Sequence, residues 1–154
     1  MAYTTAGQAT LKVRRLKIII KNLQKKVPIY PARIKKSILR VLKQEGPKKQ
    51  GEIIVSFVND RLIAKLNLRY LKKKQPTDVL AFNLAGGLNS KKMLADIVVS
   101  ADTALRNART YQTSVADELN LYSIHGLLHL LGYTDHTLKG KSLMRKKESQ
   151  YAHP

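Results

Sequence analysis

A chain of 154 residues is long enough to bury one core without disulfides or an obligate partner. Its 29 Lys and Arg against 10 acids give a formal charge of +19, a field that attracts polyanions, nucleic acids first among them; a solvated Lys-rich surface is the other reading. No Cys means no disulfide partner and no thiolate ligand, so His, Asp or Glu must hold any metal; 2 Phe and no Trp supply few anchors for a membrane-surface helix.

Residues 1–15 read as a loose basic tail. The longest early apolar run, Ile18 to Ile20, is too short for a signal-peptide core or a membrane span, so a soluble intracellular protein is expected. Leu16 to Lys21 reads as a first strand, and Val27-Pro28-Ile29-Tyr30 as an extended link. Pro31 suits the first turn of a helix, with Ile34, Ile38, Val41 and Leu42 on one face and Gly46-Pro47 as its stop.

Glu52 to Val58 reads as a second strand. Asn59-Asp60 then caps a helix with Leu62, Ile63, Leu66 and Tyr70 on one side. Lys72-Lys73-Lys74-Gln75-Pro76 is a basic loop whose three lysines are candidate RNA contacts. Val79 to Leu84 is a third strand, Gly86-Gly87 a turn and Asp96 to Ser100 a fourth strand. Beyond Ser100 the pattern is helical over about 101–112, 115–131 and 138–150. The fold class is therefore α+β: a single domain over residues 16–152, a mixed sheet of about four strands with about five helices, and a metal site on a C-terminal helix.

Three of the 4 histidines fall between Ser123 and His136. On a helix His125 and His129, at i and i+4, lie one above the other with Cβ atoms about 5–6 Å apart, so both imidazoles reach one ion at about 2.0–2.1 Å. Gly132 is a natural left-handed stop, after which the chain can bring back Asp135 or His136 as third ligand. Asp135 lies six residues after the second His and is the expected one, with His136 the alternate. Three protein ligands leave a position for water, acidified by a Zn²⁺ or other divalent transition metal, as in catalytic sites. His153, near the C-terminus, reads as tail. Zinc proteases share the His-x-x-x-His spacing but place a Glu base after the first His; Gly126 stands there, which argues against a protease.

The chain resembles the YbeY-type endoribonucleases. The likeness rests on His125-Gly126-Leu127-Leu128-His129-Leu130-Leu131-Gly132-Tyr133, on Gln75-Pro76-Thr77-Asp78-Val79-Leu80-Ala81-Phe82, and on Ala95-Asp96-Ile97-Val98-Val99-Ser100. Leu66-Asn67 and the terminal helix with Met144 fit too, and the likeness spans roughly residues 16 to 150. It implies an α+β fold, a cytoplasmic or organellar setting (cytoplasmic the expected one) and a single-strand-specific endoribonuclease with one metal ion per chain. Its role would be ribosomal RNA maturation and ribosome quality control, with ribosomal RNA and the small ribosomal subunit as partners.

Two positions depart from the family pattern. Leu71 stands where the family usually has an Arg, a residue suited to pairing two phosphate oxygens; Lys72, Lys73 or Lys74 would stand in as point charges. Asp135 stands where the family has a third His. The alternative from another class is a non-catalytic, RNA-binding ribosome-assembly factor whose metal is structural.

Overall fold

The computed structural model describes residues 16–86 and 90–153. The elements run β1 (Leu16–Asn22), α1 (Pro31–Glu45), β2 (Gln50–Val58), α2 (Asp60–Leu71), β3 (Val79–Asn83), β4 (Lys92–Ser100), α3 (Ala101–Tyr111), α4 (Val115–Leu130) and α5 (Leu138–Ala152). The four strands form one sheet in the order β1-β2-β4-β3. β1 and β4 pair parallel to β2, and β3 runs antiparallel to β4 at the edge. The sheet is mixed, and the described residues hold five helices, as the alternation of patterns predicts. The expected tail over 1–15 and Gly87 of the expected turn lie outside the described residues.

Strand periodicity sorts the side chains onto two faces. Ile53, Val55 and Phe57 of β2 stand beside Ala95, Ile97 and Val99 of β4, and all six are buried. Against them pack Ile34, Ile38 and Val41 of α1, Ala101 and Ala104 of α3, Leu119, Ile124, Leu127 and Leu128 of α4, and Met144 and Tyr151 of α5. Each such aliphatic side chain contributes about 1.5–3 kcal/mol by leaving water. The opposite face is thinner: Val58, Leu80 and Val98 meet Ile63 of α2, with Leu66 and Phe82 at the margin.

Capping fixes where the helices begin. Asn59, Ser100, Ser114 and Thr137 each accept from a backbone N–H of the first turn, at 2.9, 3.1, 3.0 and 3.0 Å. β4 starts at Lys92, four residues before the expected start. Its ladder with β2 continues through the pairs Gln50↔Lys92, Gly51↔Met93 and Glu52↔Leu94, a non-local pairing that local alternation does not reveal.

α4 is apolar nearly all round and lies in the middle of the helical layer, as such a helix must. It also passes close to the sheet. A Cβ built on Gly126 would come within 2.9 Å of Ile97 Cγ2 and 3.0 Å of Val79 Cγ2. Gly126, which lies between the two histidines in sequence, is thus a point of close approach between α4 and the strands.

Candidate metal centre

His125 and His129 lie on the part of α4 that faces away from the densest packing, and both are half-buried. Their Nε2 atoms are 2.9 Å apart and the rings meet edge to face. α4 ends at Leu130, and Gly132 adopts φ 100, a left-handed conformation that suits a residue without Cβ. The chain then reverses and brings the Asp135 Oδ2 atom to 3.7 Å from both Nε2 atoms. His125, His129 and Asp135 are the group among the described residues that could hold an ion, with one donor atom from each and all within 4.8 Å of one another. His136 is exposed and not part of this group.

The far nitrogens decide how the rings are protonated. His129 Nδ1 is 3.0 Å from the carbonyl of Tyr133, which can only accept, so Nδ1 carries the proton. His125 Nδ1 donates in the same way to Glu148 Oε1 at 2.5 Å. With Nδ1 so committed, each ring turns its Nε2 towards the space in front of Asp135. At 2.9 Å one Nε2 can donate a proton to the other, and a cation in front of Asp135 would take the place of that proton. Imidazoles with Nδ1 held by a carboxylate or carbonyl, and Nε2 turned to a common point, are the usual arrangement of metal-ligating histidines. The donor set fits a divalent transition metal.

Burial works against a charged His125, but the hydrogen bond and charge of Glu148, with Asp78 and Asp135 beyond, outweigh it and hold the imidazole above its ordinary pKa. The same negative field favours any cation in front of the ring.

A further network braces the centre from outside. Tyr133, whose carbonyl holds His129, donates its hydroxyl to Glu45 Oε1 at the end of α1. Lys147 Nζ reaches the same carboxylate oxygen at 2.6 Å, and Lys147 immediately precedes Glu148. Burial raises the Glu45 carboxyl, but Lys147, Tyr133 and Tyr151 overcome it and keep the group below its usual range. Glu45 and Glu148 are absent from any local motif. The one available signal is that Glu148 is the single acid of α5.

The other sequence candidates lie elsewhere. Lys72, Lys73 and Lys74 are exposed at the end of α2, where Lys72 is held at φ 58 as a left-handed cap. Leu71 is exposed beside them. His153 ends α5 and offers its carbonyl to Arg40. Gly126 faces Ile97 and Val79, so a Glu at this position would be driven into the sheet rather than towards the ion.

Fold and site together define a small α+β domain whose buried helix carries two histidines that, with one carboxylate, could hold a metal ion. Residues 19–154 match the family described as Endoribonuclease YbeY, and the chain belongs to that family. It is 39% identical over 138 residues to the Endoribonuclease YbeY of Syntrophus aciditrophicus, covering 86% of either chain. It is 35% identical over 134 residues to that of Chloroherpeton thalassium, covering 87% of this chain and 91% of the relative. The solution structure of TM1509 from Thermotoga maritima superposes with a TM-score of 0.58 at 27% identity, over 88% of this chain and 86% of that one.

Proposed function

We propose that the protein is a metal-dependent endoribonuclease acting on single-stranded ribosomal RNA, with one Zn²⁺ per chain held by His125, His129 and Asp135. The observation that carries this reading is the convergence of both Nε2 atoms and the Asp135 carboxylate, their outer nitrogens already committed to Glu148 and the Tyr133 carbonyl. The bound ion supplies Lewis-acid polarisation of a phosphoryl oxygen and acidifies water. Glu148 and the Tyr133 carbonyl keep both rings in the ligating tautomer, and the Glu45–Lys147 pair holds these supports in place.

The strand is held by charge. The balance of 29 basic against 10 acidic residues supports a polyanionic substrate, and the exposed Lys72, Lys73 and Lys74 would bind phosphates as point charges. The setting that fits is ribosomal RNA maturation at the small ribosomal subunit, in the cytoplasm. Among the described residues no helix is long and apolar enough to cross a membrane.

The test is a metal analysis of the purified chain alongside a salt titration of RNA binding. The expected result is one divalent ion per chain, lost in His125→Ala and in His129→Ala. Affinity for single-stranded RNA should fall with salt at a log–log slope of about −0.7 per phosphate engaged, and less steeply once Lys72, Lys73 and Lys74 are all Ala. Metal-free protein, or a slope near zero, would overturn the reading.

A further inference from the structure

The end of α2 leaves one aromatic ring in solvent. Tyr70 is 54% exposed. Its centroid is 5.2 Å from that of Phe82, with the planes at 60°. Phe82 packs against the buried cluster of Val58, Ile63, Leu80 and Val98, so the Tyr70 ring is braced from the sheet. The Arg69 guanidinium carbon lies 5.5 Å from the same ring centroid. Left-handed Lys72 follows, then Lys73 and Lys74. Buried Asn67 donates from Nδ2 to the Gln75 carbonyl at 2.7 Å and so ties this loop to α2. Asn67, Lys73, Lys74 and Gln75 line an open groove of about 360 Å³ in the loop that follows α2.

Non-specific binding of single strands combines aromatic rings on which bases stack with cations that follow the backbone. This patch offers both within six residues. The core of a protein-binding patch would be depleted of Lys, whereas here Arg69 lies over the ring and Lys72, Lys73 and Lys74 follow it along the chain with no acid between them. We infer that Tyr70, braced by Phe82 and flanked by Arg69 and Lys72–Lys74, is a stacking platform for an unpaired base of a single-stranded RNA. The inference rests on the ribonuclease reading and adds a grip on the base to the grip on the phosphates. Seven residues lie between Tyr70 and Asp78, at most about 29 Å of extended chain, and Val79, next to Asp78, lies against Gly126 on the helix that carries the two histidines.

The chain has no Trp, so Tyr70→Trp installs a single reporter of stacking. The probe is a single-stranded oligoadenylate 12-mer, with a matched duplex as control. The expected result is fluorescence quenching of the Tyr70→Trp variant by the single strand and not by the duplex. Tyr70→Leu, which keeps apolar bulk without a π-face, should bind the 12-mer at least about fivefold more weakly with an unchanged salt slope, and Tyr70→Phe should bind within about twofold of wild type. Wild-type affinity in Tyr70→Leu, or no quenching in Tyr70→Trp, overturns the platform alone. Wild-type protein that does not bind the 12-mer at low salt overturns the RNA reading and the platform with it.

Discussion

Glu148 accepts a hydrogen bond from His125 Nδ1 at 2.5 Å across the interface between α5 and α4. The last helix of the chain thereby fixes which nitrogen of His125 faces Asp135. Supports of this kind typically control metal affinity by 10- to 100-fold. Glu148→Ala should weaken Zn²⁺ binding by about that factor in competition with a chromophoric chelator, with the helical circular dichroism unchanged. Glu148→Gln keeps an acceptor but loses the charge, so its affinity should fall between the two. Wild-type affinity in Glu148→Ala would remove the supporting role.

Gly126 gives a second prediction, one in which two effects compete. Gly→Ala inside a helix ordinarily stabilises by about 0.8–1 kcal/mol. Here the added methyl would meet Ile97 Cγ2 at 2.9 Å and Val79 Cγ2 at 3.0 Å, both on stiff β-branched side chains. Overpacking of this sort costs about 1–3 kcal/mol, so packing should win by about 1 kcal/mol. Thermal unfolding of Gly126→Ala should lie roughly 2–4 °C below wild type. A raised Tm would show that α4 is not pressed against the sheet.

Asp60 joins α2 to α3. Its carboxylate accepts from Ser100 Oγ at 2.6 Å, Thr103 Oγ1 at 3.0 Å and Arg106 at 2.6 Å. Partial burial raises the carboxyl, but the Arg106 guanidinium and the two hydroxyls outweigh it and hold the group below the usual carboxylate range. A depressed folded-state pKa means stability that is present above the unfolded value of about 3.9 and lost as pH falls through the folded one. Asp60→Asn should therefore be about 1–2 kcal/mol less stable than wild type at pH 7. At an acid pH below the folded-state pKa the gap should close, because a protonated Asp60 resembles the amide. Denaturant melts at both pH values check this, and a gap independent of pH would contradict it.

How much of this was legible depended on distance along the chain. His125 and His129 are a spacing within one helix, and Gly132 and Asp135 follow within six residues of His129, so helix geometry and a helix stop suffice to group them. The buried faces of β2 and of α1 were readable for the same reason. Glu148 and Glu45 reach the site only because α5 and α1 pack beside α4, and no local pattern encodes that packing. The early start of β4 comes from pairing with β2. Left-handed caps at Lys72 and Gln112 occupy positions where Gly would have been the signal, so neither could be seen in advance.

The most direct test of the central claim is cleavage of a defined single-stranded RNA by chelator-stripped wild-type protein, before and after one equivalent of Zn²⁺ is restored. Stripped protein should be inactive but folded, and activity should return with the ion in wild type and not in His129→Ala. Undiminished cleavage by the stripped protein, with the His129→Ala preparation equally active, would contradict a metal centre at His125, His129 and Asp135 as the source of activity.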